Sequence, residues 1–147
     1  ERNKSIELLV VSRGSKEKIA CKCSQRVFSN VNDERLARLY SICDIFVYPS
    51  LYEGFGLCGL EAMACGAPVV LTDSGGVREY AIDGENCLMV SPKSAHLLAE
   101  AIIKIVNDKE LSQKLRQEGI KTARQFTLDK MVTQYEEFFE RTINKNE

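Results

Sequence analysis

The sequence predicts an α/β fold in which a parallel sheet carries helices on both faces. Continuous apolar runs, suited to buried strands, alternate with amphipathic helical patterns from Ile6 to Val90. From Pro92 onward the alternation stops and only helical patterns follow. A chain of 147 residues, 44% hydrophobic and 28% charged, can bury a single core. We therefore expect one doubly wound domain over residues 1–147 that ends in three helices.

Five segments predict strands. The clearest is IELLVV at residues 6–11, a run of the kind that a strand buried on both faces requires. DIFVY at 44–48 and PVVL at 68–71 share that character. Shorter candidates at 26–29 and 87–90 complete a sheet of about five strands.

Helical patterns lie between and after these strands. Residues 32–43 open with the capping residue Asn32, and residues 57–65 are short and mostly apolar, so we expect them to be buried. Ser94 caps the first of the three final helices. The second runs to Phe126, with Gly119 as a point of interruption. The third begins at Thr127, and its expected core residues are Met131, Tyr135, Phe138 and Phe139, while its length leaves open that it packs on something outside this chain.

Charge and composition exclude several classes of function. Twenty basic residues against 21 acidic ones give a net charge of −1, so no basic field holds a nucleic acid or an anionic membrane. No apolar run is long enough to span a bilayer, and no signal-peptide pattern is present. The six cysteines do not suggest a disulfide framework, which indicates a reducing cytoplasm. Cys21 and Cys23 offer too few ligands for zinc, and His96, the only histidine, is expected at the surface.

The stretch EGFGLCGLE, residues 53–61, carries the chemistry. Gly54, Gly56 and Gly59 have the G-x-G-x-x-G spacing of a dinucleotide-binding turn, and Asp73 lies where such a site has its ribose-binding acid. However, five residues separate the preceding strand from Gly54, and the helix that follows is short. Glu53 would also place a negative charge beside the pyrophosphate. These three features argue against a dinucleotide site, and an oxidoreductase that binds NAD is kept as the alternative.

The two glutamates favour another ligand. The backbone amides of residues 54–58 have no partners within the helix, and with the helix dipole they form a site for a diphosphate. Gly54 and Gly56 would let the main chain approach that anion closely. Glu53 and Glu61 flank this site, and a carboxylate can accept hydrogen bonds from a vicinal diol. A diphosphate with a sugar at each end is a nucleotide-sugar.

The stretch YPSLYEGFGLCGLEAMACGAPVVLTDSGGVREYAIDGENCLMV resembles the donor-binding signature of retaining glycosyltransferases of the GT-B fold. This group-1 family includes glycogen synthases, sucrose synthases and mannosyltransferases. Its motif is a glutamate, seven residues and a second glutamate, as at Glu53 and Glu61. The resemblance extends from about Ile6 through the final helices and implies a Rossmann-like, donor-binding C-terminal domain.

The resemblance also implies roles for individual residues. Glu53 would contact the transferred sugar as the catalytic-site acid, and Glu61 would hold the ribose. The amides of the loop, at Gly54, Phe55, Gly56, Leu57 and Cys58, would bind the diphosphate. Phe28 and Ser29 would meet the nucleobase, and Glu79 would support the site. The family needs no metal or other cofactor.

Two features of the family are missing from the sequence. We expect an N-terminal acceptor domain to be absent, and with it an arginine–lysine pair that stabilises the leaving diphosphate. Arg13 and Lys18 have similar spacing, but they follow the strand at residues 6–11, which aligns with the second strand of the family's C-terminal domain. For this reason we do not expect them to be that pair. We therefore expect no measurable transferase activity from the isolated chain. A non-catalytic subunit that binds nucleotide-sugars remains a second alternative.

The expected setting is the synthesis of a polysaccharide, a glycolipid or a cell-envelope glycan in the cytoplasm. The partners would be a nucleotide-sugar donor and the acceptor domain, with no nucleic acid. Through that domain the protein could associate peripherally with the inner face of the cell membrane.

Overall fold

The computed structural model describes residues 6–12, 14 and 19–143. Arg13 and Lys18 lie outside these residues. The chain divides into two compact units, of which the first ends at Leu39 and the second begins at Tyr40. In the described residues, no helix is both long and apolar enough to cross a membrane.

The first unit contains two parallel strands, β1 (Glu7–Ser12) and β2 (Ser24–Ser29), and the beginning of helix α1 (Asp33–Ile42). Asn32 caps α1 as predicted, because its Oδ1 accepts a hydrogen bond from the Arg35 amide at 3.0 Å. The expectation that both faces of β1 are buried is wrong, since Val11 is 43% exposed. The described part of this unit has too few elements to cover both faces of its sheet.

The second unit contains the strands β3 (Phe46–Tyr48), β4 (Val69–Thr72) and β5 (Leu88–Val90). They are parallel in the order β3-β4-β5, and every residue of the central strand β4 is buried. The prediction of a parallel α/β fold is therefore confirmed. The five predicted strands form a two-stranded and a three-stranded sheet rather than the single sheet that the sequence suggested.

Helix α2 (Leu57–Ala64) and a 3₁₀ helix (Gly76–Glu79) lie between these strands, and the helices α3 (Ala95–Asn107), α4 (Lys109–Ala123) and α5 (Leu128–Ile143) follow them. Ser94 caps α3 as predicted. One cluster of buried hydrophobic residues joins the sheet to α3 and α4. It consists of Val70, Leu88, Ala101, Ile105 and Leu115.

Gly119 does not interrupt α4, contrary to the sequence prediction. A Cβ atom at this position would lie 3.2 Å from Cγ of Met63, which is fully buried in α2. The glycine therefore lets two helices approach each other closely and does not end one. Phe126 lies beyond the end of α4 and packs against Phe55 and Tyr80.

The inward-facing stripe predicted for α5 is also wrong. None of its described residues is buried, and Tyr135, Phe138 and Phe139 are each more than half exposed. The segment is helical as predicted, but the apolar face of α5 does not pack against the described core. Periodicity predicts which residues share a face, whereas packing decides whether that face is covered.

Candidate functional site

The site is built around the beginning of α2. Among the described residues, no protein group accepts a hydrogen bond from the backbone N–H groups of residues 54–58. Gly56 precedes the helix in a left-handed conformation (φ 84°) and offers no side-chain cap. Unpartnered N–H groups at the beginning of a helix, where the helix dipole is positive, favour the binding of an anion.

Packing inside the protein explains two of the three glycines in this motif. A Cβ at Gly56 would lie 2.7 Å from Val77 Cγ1, and one at Gly59 would lie 2.4 Å from the Tyr80 hydroxyl. A Cβ at Gly54 would meet no atom within 4 Å. The G-x-G-x-x-G spacing therefore reflects contacts with Val77 and Tyr80 at two positions. Only Gly54 has open space beside it, as an approaching ligand requires.

The loop before α2 is attached to the loop after β4. The Glu53 amide donates to the Ser74 carbonyl at 2.8 Å, and the Gly76 amide donates to the Glu53 carbonyl at 2.9 Å. A Cβ at Gly76 would lie 1.9 Å from the Gly54 carbonyl oxygen, so only glycine fits there. The hydroxyl of Ser74 is buried and has no partner among the described residues. The two backbone hydrogen bonds between the loops hold the amides of residues 54–58 in place.

Glu53 is held by two hydroxyl groups from the end of β3. Tyr48 Oη and Ser50 Oγ both donate to Glu53 Oε1, at 2.6 and 2.7 Å. These hydrogen bonds, that from Tyr48 first and that from Ser50 second, lower the pKa of Glu53 below its ordinary value. Glu53 is therefore a fixed carboxylate at neutral pH.

Glu61 is exposed on the first turns of α2, where its Oε2 accepts a hydrogen bond from the Tyr40 hydroxyl at 3.3 Å. It also lines an apolar recess of about 180 Å³ formed with residues of α2 and Phe126. Arg78 binds Asp73 through two hydrogen bonds of 2.6 Å. Asp73 is thus paired with a cation through both oxygens, and a dinucleotide ribose would have to share the carboxylate with this ion pair.

Phe28 and Ser29, the predicted nucleobase residues, lie at the end of β2 in the first unit. Both are half-buried. The guanidinium of Arg35 lies 5.2 Å from the centre of the Phe28 ring. One face of this ring is therefore covered by a cation, as in other cation–π pairs.

Three further predicted positions have simple surroundings. Glu79, the expected support, is exposed, and its side chain makes no hydrogen bond or ion pair with the described residues. His96 is exposed and lies 3.2 Å from Glu100. The sulfurs of Cys21 and Cys23 are 2.9 Å apart, and no metal-ligating group of three or more residues occurs in the described part of the chain.

Sequence reasoning missed the residues that hold the motif in place. No role is predicted from the sequence for Tyr40, Tyr48, Ser50 or Tyr80. In the structure, the Tyr40 hydroxyl donates a hydrogen bond to Glu61, and the Tyr80 hydroxyl donates one to the Gly56 carbonyl. The hydroxyls of Tyr48 and Ser50 both donate to Glu53. The position of Tyr48 at the end of a strand, five residues before Glu53, was the available signal.

A profile of the family "Glycosyl transferases group 1" matches residues 4–122, most of the chain. The chain belongs to this family.

Solved glycosyltransferase structures share its fold. Sucrose-phosphate synthase from Thermosynechococcus elongatus is 32% identical, with a TM-score of 0.76 over 82% of this chain and 31% of that one. HepE from Anabaena, solved in complex with UDP-glucose, is 26% identical, with a TM-score of 0.74 over 80% of this chain and 32% of that one.

Among curated glycosyltransferases, O-antigen chain mannosyltransferase B of Escherichia coli is 36% identical over 109 residues, which is 74% of this chain and 28% of the relative. The chain thus spans less than a third of the length of such relatives.

Proposed function

We propose that this chain binds a nucleoside diphosphate sugar and acts in the transfer of its sugar to an acceptor with retention of configuration. One observation carries the proposal: five unpartnered backbone N–H groups lie at the beginning of α2, with a carboxylate before them and another one turn into the helix. Membership of the group 1 glycosyltransferases supports the same ligand class.

The diphosphate would bind to the amides of residues 54–58. Neutral amides that are already held in place offer hydrogen bonds to an anion without reorganising as it binds. The net charge of the chain is only −1, so this local field and not a general basic surface would attract the ligand.

The two carboxylates would recognise the two sugars. Glu61, exposed beside the recess, would accept hydrogen bonds from the ribose hydroxyls. Glu53, ionised at neutral pH, would accept one from a hydroxyl of the transferred sugar and orient it for reaction. Phe28 and Ser29 stay proposed contacts of the nucleobase.

In the proposed reaction, the acceptor oxygen forms a bond to the anomeric carbon as the bond from that carbon to the phosphate oxygen breaks. The departing phosphate takes the acceptor proton on the same face of the sugar, so no protein nucleophile and no metal are required. The product would be a polysaccharide, a glycolipid or a cell-envelope glycan made in the cytoplasm.

Titration of the ¹⁵N-labelled chain with UDP, UDP-glucose, GDP, GDP-mannose and NAD, followed by NMR, tests the proposal. We expect shifts of the amides of residues 54–58 with nucleoside diphosphates and their sugars. Glu61→Ala should weaken all of these ligands about tenfold or more, as loss of a hydrogen bond to a charged group does. Glu53→Ala should weaken only the ligands that carry a sugar.

Glu136→Ala, on the exposed surface of α5, is the matched control and should leave every affinity unchanged. Preferential binding of NAD, or shifts confined to other regions, would overturn the proposal. An equal loss for UDP and UDP-glucose in Glu53→Ala would contradict the role given to Glu53.

A further inference from the structure

Each of the two glutamates of the site accepts a hydrogen bond from a tyrosine hydroxyl. Tyr48 donates to Glu53 Oε1, and Tyr40, only 7% exposed, donates to Glu61 Oε2. The ring of Phe46 packs against both tyrosine rings, with its centroid 5.1 Å from that of Tyr40 and 6.0 Å from that of Tyr48. Packing of each tyrosine ring against Phe46 therefore helps to fix the position of its hydroxyl beside the carboxylate.

Both tyrosine hydroxyls lie in surroundings that disfavour their ionisation. Burial first, and then the neighbouring Cys58 and glutamate groups, raise the pKa of each tyrosine above its ordinary value. Both hydroxyls thus remain protonated donors over the whole physiological range.

The hydrogen bonds to Glu53 are unevenly shared between its oxygens. Oε1 accepts from both Tyr48 and Ser50, whereas Oε2 accepts from no group among the described residues. A carboxylate oxygen that already accepts two hydrogen bonds has little capacity for a third. One oxygen therefore anchors the side chain, and the other is left for a ligand.

We propose that Tyr48 and Ser50 are positioning residues that make Glu53 present a single oxygen to the transferred sugar, and that Tyr40 orients the carboxylate of Glu61 towards the ribose. This inference rests on the proposed function. It also refines it, because Glu53 would then bind sugar hydroxyls through one oxygen and not hold a diol through both of its oxygens. The two tyrosines would control different parts of one ligand.

A ligand-free measurement tests the first half of the inference. In a ¹³C NMR titration of the carboxyl groups, Tyr48→Phe and Ser50→Ala should each raise the pKa of Glu53 towards its ordinary value. Tyr40→Phe should leave it unchanged, as should Tyr135→Phe, a control on the exposed face of α5. An unchanged Glu53 pKa in Tyr48→Phe would overturn the positioning role.

Binding tests the second half. Tyr48→Phe should weaken UDP-glucose about tenfold and leave UDP within about twofold, whereas Tyr40→Phe should weaken both. A merely structural role would weaken both ligands equally in both variants, and ¹H–¹⁵N spectra report whether each variant is folded. Equal losses in Tyr48→Phe would overturn the inference. If the unmodified chain binds neither ligand, the proposed function fails and the ligand role of the tyrosines fails with it, even where the Glu53 titration behaves as expected.

Discussion

The buried hydroxyl of Tyr80 donates a hydrogen bond of 2.7 Å to the backbone carbonyl of Gly56, the residue that precedes α2. The same hydroxyl lies too close to Gly59 to leave room for a Cβ there. A tyrosine 24 residues further along the chain thus holds the turn from which the five free amides project.

Removal of this hydroxyl should loosen the turn. We expect Tyr80→Phe to lower the free energy of unfolding by about 1–2 kcal/mol, because a buried carbonyl loses a partner. Urea denaturation measures this change, with Tyr135→Phe as the exposed control. Equal midpoints for the two variants would contradict the importance of the Tyr80 bond.

The glycines of the motif should respond differently to the same substitution. Gly59→Ala should destabilise the chain by about 1–3 kcal/mol, because its Cβ would overlap the Tyr80 hydroxyl. Gly54→Ala should change stability by less than about 0.5 kcal/mol, since open space surrounds that position. Instead, Gly54→Ala should weaken diphosphate binding. Thermal denaturation and NMR titration of both variants would separate the two effects, and destabilisation by Gly54→Ala would contradict them.

Asn86 is a buried polar link between the segment after the 3₁₀ helix and α4. Its amide donates to the Tyr80 carbonyl and to Thr122 Oγ1, and its oxygen accepts from the Ile82 amide, all within 2.8 Å. Asn86→Ala should cost about 3 kcal/mol, because buried groups lose their partners together. Urea denaturation against the exposed control Gln134→Ala checks this value, and a cost below that of Tyr80→Phe would contradict it.

The ion pair of Asp73 and Arg78 should make stability depend on pH. The hydrogen bonds from Arg78, and then its charge, lower the pKa of Asp73. A depressed pKa in the folded state contributes stability that is present above the unfolded pKa of about 3.9 and is lost as the pH falls through the folded value. The difference in unfolding free energy between the unmodified chain and Arg78→Ala should therefore shrink below about pH 4. A difference that stays constant between pH 6 and pH 2.5 would contradict this origin.

The boundaries of the elements were largely predictable because they follow local signals. Ser94 and Asn32 cap their helices as expected, and the apolar runs at 44–48 and 68–71 contain β3 and all but the last residue of β4. The errors concern packing. Gly119 continues a helix because Met63 leaves no room for a side chain, and the apolar face of α5 stays exposed. No local signal reports either fact.

The sequence by itself determined the parallel α/β character of this chain, its family and the spacing of Glu53 and Glu61, because periodicity and motif spacing are properties of neighbouring residues. Only the tertiary structure decided which glycines are required and which side chains hold the two carboxylates. Tyr40 and Glu61 are 21 residues apart, and Tyr80 and Gly56 are 24 residues apart. The fold brings these groups within reach of a hydrogen bond, and such contacts leave no periodic trace in the sequence.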